Sequence, residues 1–201
     1  MLFRSGLILA CPSHGRDAAL MLRECVRLAR EEQRLVAFVE PIALYMTRDL
    51  HEPGDGGWAH PYPSPADRVG LGEVAVHGRG TDLAIVTYGN GHFLSRQAGK
   101  ILAEQHGLKL RVIDMRWLAP LPEAALLKAT RRCRHVLIVD ECRTTGSQSE
   151  GLMALFAERT ATPTARLAAA DCFIATGPAY GAPLPSRDGI VQAALKLVKR
   201  A

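Results

Sequence analysis

The fold is decided by residues 82–115, which read DLAIVTY at Asp82–Tyr88 and LRVIDM at Leu110–Met115, with Phe93–His106 between them. Both flanking runs are short, apolar and rich in β-branched residues, a pattern that is typical of buried strands. The segment between them has apolar residues at helical spacing, namely Leu94, Ala98, Ile101 and Leu102. A strand, a helix and a second strand in this order predict a parallel pair joined by a right-handed crossover.

The same alternation continues towards the end of the chain. A third apolar run, HVLIVD at His135–Asp140, predicts another buried strand, and Ala165–Ala169 predicts a fourth. Helical periodicity predicts helices at Pro122–Arg132 and at Arg187–Lys199. A third helix is predicted to begin at Ser147, with Glu150 at capping-box spacing. We therefore predict an α/β fold with three layers, in which a mostly parallel sheet carries helices on both faces.

A smaller strand–helix–strand unit precedes this domain. Gly6–Ala10 and Leu35–Val39 are apolar runs, and the helix between them has Ser13 as its predicted N-cap and ends near Arg34. Proline and glycine are dense in the following segment, which lacks periodicity and is predicted to be a linker. The predicted organisation is a strand–helix–strand unit at 1–46, a linker at 47–81 and the α/β domain at 82–201.

The composition is that of an ordinary globular protein, with 201 residues, 48% of them hydrophobic and 22% charged. No apolar run approaches the ~20 residues that a membrane-spanning helix requires, so we expect no membrane partner. The formal net charge is +5, but the densest basic group, Arg131, Arg132 and Arg134, contains no aromatic residue. Sites for single-stranded nucleic acid combine both features, so we expect no nucleic-acid partner.

The cysteines are odd in number and form no CxxC pair: Cys11, Cys25, Cys133, Cys142 and Cys172. This pattern argues against a disulfide framework and a zinc ribbon, and it favours reduced thiols in a cytoplasmic protein. Ile8–Cys11, preceded by Arg4, imitates a lipoprotein cleavage box, but its apolar stretch is shorter than the ~7–15 residues of a signal sequence. We expect Cys11 to be unlipidated and buried at the end of a strand.

Gly89-Asn90-Gly91 follows a strand and opens a helix, as in a dinucleotide-binding fingerprint. Leu94 stands where that fingerprint has its third glycine, the residue that lets helix and strand pack closely. We interpret the motif as a tight strand-to-helix turn and keep a nucleotide-binding site as an alternative hypothesis.

Gly54-Asp55-Gly56 is followed 35 residues later by Asn90, counted from Asp55 (90 − 55). A GDG and a later asparagine are the signature with which thiamine enzymes hold Mg²⁺ and a diphosphate. In this chain no strand precedes the GDG, and a flexible loop orders the ligands of an octahedral ion poorly. We interpret the match as accidental.

Residues 140–146 lie between a strand and a helix, where backbone N–H groups could bind an anion and Cys142 could become a reactive thiolate. No histidine lies nearby in sequence, so we interpret the segment as a structural turn. The histidines His51, His60, His77 and His92 have no metal-ligand spacing, and we predict that they are solvated loop residues.

Blocks along the whole chain resemble β-type E1 subunits of thiamine-diphosphate-dependent 2-oxo-acid dehydrogenases. Residues 9–13 and 37–45, LACPS and AFVEPIALY, resemble the end of the pyrimidine-binding domain of that family. Residues 82–89, 112–121 and 139–150 resemble the first three strands of its transketolase-like C-terminal domain, together with their exits.

The resemblance implies an assembly in which thiamine diphosphate and Mg²⁺ lie between domains of different protomers. In that family a glutamate activates the cofactor, a 2-oxo acid loses carbon dioxide, and the acyl group passes to lipoyl-E2. The C-terminal domain mainly builds the subunit interface. By analogy we predict an interface formed by Arg116, Trp117, Glu141, Thr144, Thr145 and Gly146.

The sequence departs from the family pattern in three places. The activating glutamate, which would precede Gly6, and the diphosphate motif are both absent. Residues 29–34 lengthen the first helix as in single-chain E1 fusions, which puts the family's monovalent-ion site in doubt. We therefore expect a truncated E1 or a gene remnant that has no catalytic, cofactor-binding or metal-binding residues of its own.

The expected partners are a second copy of the chain, the remaining E1 segments, either α-type or N-terminal, and lipoyl-E2. An alternative from another functional class is a non-catalytic α/β interaction domain that assembles with a partner chain. The identity of the 2-oxo acid is not predictable, because its pocket lies largely in other segments of the enzyme.

Overall fold

A computed structural model describes residues 6–199; Arg4 and the outer ends of the predicted segments 1–46 and 82–201 lie outside the described residues. The described chain forms eight β-strands and five α-helices. In chain order these are β1 (Ile8–Ala10), α1 (Gly15–Glu31), β2 (Val36–Phe38), β3 (Ala75–His77), β4 (Leu83–Thr87), α2 (Gly89–His106), β5 (Leu110–Asp114), β6 (Trp117–Ala119), α3 (Glu123–Thr130), β7 (Val136–Arg143), α4 (Gln148–Arg159), β8 (Thr164–Ala169) and α5 (Arg187–Lys199).

Five strands form the main sheet in the order β3-β5-β4-β7-β8. The last four of these are mutually parallel, and β3 pairs antiparallel with β5. Alternate residues of β4 face opposite sides: Ala84 and Val86 pack with α3 and α4, whereas Leu83 and Ile85 pack with α2 and α5. The predicted three-layer α/β fold with a mostly parallel sheet is therefore confirmed.

A second, three-stranded sheet has the order β2-β1-β6. β1 and β2 are parallel, as the strand–helix–strand pattern predicts, and β6 adds to β1 in the antiparallel direction. β6 belongs to the segment after β5, so the main domain contributes a strand to the smaller sheet. β6 follows β5 after two residues, so nothing in the sequence separates it from the exit of β5, and the sequence does not predict it.

The segment predicted to be a linker also packs against the main domain. β3 lies within it and forms one edge of the main sheet. Leu50 and Trp58 are buried with Leu44, and Phe93 of α2 packs against them. Within residues 6–199, no helix combines the length and the apolar character that a membrane crossing requires.

Two helices begin at residues other than those predicted. The N-cap of α1 is His14, whose Nδ1 accepts a hydrogen bond from the Asp17 backbone N–H at 3.3 Å, instead of Ser13. α2 begins at Gly89, four residues before the predicted start. A Cβ on Gly91 would lie 2.5 Å from the Thr87 hydroxyl oxygen, so this glycine permits the close approach of α2 to β4.

Candidate functional site

One end of the main sheet is formed by the carboxyl ends of β4 and β7 together with the turn 141–147, and we call it the carboxyl-end face. Asp140 is buried at its centre. Its Oδ1 accepts hydrogen bonds from the Tyr88 hydroxyl at 2.5 Å and from the Cys142 backbone N–H at 2.9 Å. Its Oδ2 accepts one from the Ser149 N–H at 2.8 Å. Asp140 thereby fixes the turn relative to β4 and α4.

The predicted capping box of α4 is wrong. Ser147 is the N-cap residue, but its side chain makes no capping hydrogen bond. The bond from Ser149 N–H to Asp140 satisfies one of the free donors of the first turn. A carboxylate from the preceding strand therefore caps α4, and local sequence spacing does not reveal that partner.

The turn is tied to its neighbours by polar contacts at both ends. Glu141 accepts a hydrogen bond from the Asn90 amide at 2.6 Å, and burial raises the pKa of Glu141. Thr144 donates to the Ala169 carbonyl at 2.9 Å. Thr145 donates to Asp171 through its N–H at 2.9 Å and its hydroxyl at 2.5 Å. Four of the six predicted interface residues, Glu141, Thr144, Thr145 and Gly146, are therefore held together in one well-braced turn.

A cavity of about 430 Å³ lies beside this turn. It is lined by Leu9 and Leu118 of the smaller sheet, by Tyr88 and Cys142, and by Ile174. Cys142 is exposed, and the Tyr88 hydroxyl lies 3.6 Å from its sulfur. The cavity therefore lies where the two sheets and the segment after β8 meet.

The other two predicted interface residues, Arg116 and Trp117, have side chains that are mostly buried within the folded chain. Arg116 has a left-handed backbone (φ 61°) and donates to the buried Asp17 carboxylate through Nε at 2.7 Å and Nη2 at 2.9 Å. Trp117 is fully buried and packs with Ile8 and Met21. Both side chains join the smaller sheet and α1 to the main domain, so they offer little surface to a second subunit.

Histidines cluster around Trp58, next to the Arg116–Asp17 pair. The ring centroids of His14 and His60 are 4.2 Å apart, those of His77 and His92 4.8 Å, and those of Trp58 and His92 5.3 Å. The prediction of solvated loop residues is wrong for His92, which is fully buried, and for His77, which is half-buried in β3. The burial of His92 has a signal in the sequence. His92 lies at helical spacing from Ser95, Ala98 and Leu102, and these residues share the buried face of α2.

Burial also shifts the pKa values in this cluster. It lowers the pKa of His14 and of His77 to about 4, and that of His92 well below its usual range. It raises the pKa of Asp114, whose Oδ2 lies 3.5 Å from His92 Nδ1, to about 7. Within residues 6–199, no His, Cys, Asp and Glu side chains are grouped so that they could hold a metal ion.

The GDG motif does not fit a thiamine diphosphate site. Both oxygens of the Asp55 carboxylate accept backbone N–H groups of its own loop, from Leu50, His51, Glu52 and Gly57. The loop contacts α2 through Gln97, two turns beyond Asn90, or about 10 Å along the helix. Asp55 and Asn90 therefore form no common site for Mg²⁺ or a diphosphate, and Asp55 organises its own loop.

Cys11 is 4% exposed at the end of β1, as predicted, and burial raises the pKa of its thiol to about 12. The Gly89–Gly91 motif forms the tight entry into α2, where Gly89 has φ 55° and Asn90 contacts Glu141. Leu94 packs into the core on the α2 side of the sheet. These contacts accord with the interpretation of the motif as a strand-to-helix turn.

Residues 72–185 match the family model of the transketolase C-terminal domain. The chain belongs to the transketolase C-terminal domain family. The pyruvate dehydrogenase E1 component subunit beta of Bacillus subtilis is 24% identical over 198 residues, which cover 96% of this chain and 56% of that protein. The 1-deoxy-D-xylulose-5-phosphate synthase of Nitratidesulfovibrio vulgaris strain DP4 is 39% identical over 99 residues, 49% of this chain and 15% of that protein.

Solved structures agree with this assignment at the level of the fold. A split-gene transketolase, described as an inactive β4 tetramer, superposes with a TM-score of 0.72 at 21% identity, over 98% of this chain and 60% of that one. The resemblance to β-type E1 subunits predicted from the sequence is confirmed, and the synthase adds a second branch of transketolase-type relatives. The chain spans only part of each of these proteins, between 15% and 60% of their length.

Proposed function

We propose that the chain is the C-terminal portion of a 2-oxo-acid dehydrogenase E1 and that it builds a subunit interface rather than a complete active site. The complete enzyme would use thiamine diphosphate and Mg²⁺ to decarboxylate a 2-oxo acid and pass the acyl group to lipoyl-E2. The extent of similarity supports this branch of relatives, because the alignment with the E1 subunit includes the smaller sheet. The remaining E1 segments and lipoyl-E2 are the proposed partners.

The observation that carries the proposal is the set of exposed apolar side chains around the carboxyl-end face. Ile42 and Met46 follow β2 and are 77% and 87% exposed, and Phe173, after β8, is fully exposed. A Cβ on Gly89 would lie 3.9 Å from Pro41, so the end of β2 adjoins the end of β4. Contiguous exposed apolar patches mark interaction surfaces, and we propose that these side chains form such a patch and that a second copy of the chain covers it.

Sedimentation at low micromolar concentration tests the association. We expect a species of twice the 21.8 kDa of the chain, because obligate interfaces bury at least ~2,000 Å² and persist at such concentrations. A well-behaved monomer would refute the proposed interface. Free thiols at all five cysteines accord with a reducing compartment, and we propose the cytoplasm.

Calorimetry with Mg²⁺ and thiamine diphosphate tests the second half of the proposal. We expect no heat of binding, because the Asp55 carboxylate is saturated by its own loop and no other described residues replace it. Micromolar affinity for the cofactor would show that the chain holds a complete site, contrary to the proposal.

A further inference from the structure

A groove of about 600 Å³ runs along α2 at the end of the molecule opposite the carboxyl-end face. Its walls are the middle of α2, the end of β3 and the loops that lead into β4 and β5. The side chains that matter here are His51, His77, Arg79, Arg96, Lys100 and Lys109. We call this feature the basic groove, because no acidic residue is among those that line it.

Four of these side chains carry a permanent positive charge, and most of that charge is uncompensated. Lys100 lies 3.4 Å from Glu52, a mostly exposed carboxylate at the rim. Among residues 6–199, Arg79, Arg96 and Lys109 have no carboxylate within ion-pair distance. Cations gathered in a concave surface raise the local concentration of anions, because the surrounding protein focuses the field.

Arg96 is the most informative of the four. It is only partly exposed, and burial lowers its pKa. Its one hydrogen-bond partner among the described residues is His77, whose Nδ1 lies 2.9 Å from Arg96 Nη1. Arginine only donates, so Nδ1 accepts, and His77 is neutral because burial lowers its pKa to about 4. A part-exposed guanidinium whose one described partner is a neutral ring keeps donors and a full charge available to a bound anion.

We propose that the basic groove binds a small ligand through its phosphate groups, with Arg96 as the central contact. A guanidinium can hold two phosphate oxygens at once, and lysines add charge without fixed geometry. Four cations exceed what a single carboxylate would need, and the volume is that of an ordinary small-molecule site. No Phe, Tyr or Trp lines the groove, which disfavours single-stranded nucleic acid.

Titration with inorganic pyrophosphate at constant ionic strength tests the proposal. We expect saturable binding to the full chain that weakens at least about tenfold in Arg96→Gln, the loss that follows from removing a charged hydrogen-bond donor. Arg96→Lys should keep part of the affinity, because lysine keeps the charge but cannot make the bidentate hydrogen bonds of arginine. Arg159→Gln, the same change at an exposed position on α4, is the matched control and should leave the affinity unchanged.

Thermal unfolding separates a binding role from a structural one. Arg96 is part-exposed and contacts only a neutral ring, so without pyrophosphate we expect the Tm of Arg96→Gln to lie close to that of the parent chain. Pyrophosphate should raise the Tm of the parent chain and of Arg159→Gln equally, and that of Arg96→Gln by less. If Arg96→Gln unfolds, Lys109→Gln, an exposed change at the same groove, replaces it in the titration.

Three results would overturn the proposal: no pyrophosphate binding at millimolar concentration, binding that Arg96→Gln or Lys109→Gln leaves intact, or tighter binding of a single-stranded oligonucleotide than of pyrophosphate. The groove and the carboxyl-end face lie at opposite ends of the sheet. The outcome is therefore independent of whether the chain forms the proposed dimer.

Discussion

Asp114 makes the stability of the chain depend on pH. It ends β5 without any exposed surface, surrounded by Ser13, Asp17, His92 and Arg116, and burial raises its pKa to about 7. A carboxyl group with a raised pKa in the folded state contributes stability that is full below the unfolded value of about 4 and is lost as the pH rises through 7. We therefore expect Asp114→Asn to gain stability relative to the parent chain between pH 5 and pH 8.5.

Urea unfolding at several pH values measures this gain, which should be a few kcal/mol. Asp188→Asn, at an exposed position in the first turn of α5, is the control and should follow the parent chain at every pH. The prediction would be contradicted if the difference in the free energy of unfolding between Asp114→Asn and the parent chain did not increase as the pH rises. The comparison of slopes remains valid even if the substitution changes the packing at all pH values.

His14, His77 and His92 change the stability of the chain in the opposite direction, because their contribution is lost as the pH falls. Their pKa values are lowered in the folded state, so their contribution is present above about 6.5 and is lost as the pH falls towards 4. The three histidines outweigh the single carboxyl group of Asp114, so these four groups should raise the stability from about pH 4 to about pH 7 and change it little above that. Urea unfolding over this range measures the rise, and a stability that falls between about pH 5 and pH 7 would contradict it.

At the level of the elements, the first turn of α4 is capped by Asp140 of β7. Asp140→Ala removes the acceptor of Tyr88, Cys142 and Ser149 at once, and we expect it to lower the free energy of unfolding by about 2 kcal/mol or more. Ser147→Ala removes only the hydrogen bond between the hydroxyls of Ser147 and Ser149 (2.7 Å), and we expect a loss of about 1 kcal/mol or less. Equal losses for the two variants in urea unfolding would show that Ser147 caps the helix after all.

The elements that the sequence predicts are those that stand in continuous apolar runs or show helical periodicity. Leu83–Thr87 and Arg187–Lys199 differ from their predicted bounds by one residue or none. β3 and β6 have three residues each, and their partners lie elsewhere in the chain, so no local pattern reveals them. The start of α2 is displaced because a glycine with φ 55° and Asn90 do not look helical in sequence.

The side-chain contacts of the candidate site are also beyond what the sequence predicts. The resemblance brings the 141–147 turn to attention, but its bracing by Asp140 and Asp171 depends on side chains that are distant in sequence. The Asp17–Arg116 pair spans 99 residues, and the histidines meet only because the 47–77 segment folds back on α2. Contacts of this kind follow from tertiary packing, which composition and periodicity do not encode individually.

On the scale of the whole molecule, the two ends of the main sheet differ in character. The carboxyl-end face presents apolar side chains around a turn held by hydrogen bonds, whereas the basic groove presents uncompensated positive charge. Apolar surface is the kind that subunits cover, and uncompensated charge is the kind that ligands neutralise. The proposed association and the proposed ligand site can therefore operate without blocking each other.

The proposed dimer contact can be mapped with single substitutions. Met46→Ser and Phe173→Ser each remove an exposed apolar side chain from the carboxyl-end face, where burial in an interface contributes ~1.5–3 kcal/mol per residue. We expect each to raise the dimer dissociation constant at least about tenfold. Leu35→Ser is the matched control: Leu35 is 70% exposed but precedes β2 at the opposite end of the sheet. Trp117→Ala is unsuitable, because Trp117 is fully buried and its loss would destabilise the fold itself. Sedimentation equilibrium that shows the same dissociation constant for all three serine variants would place the contact elsewhere.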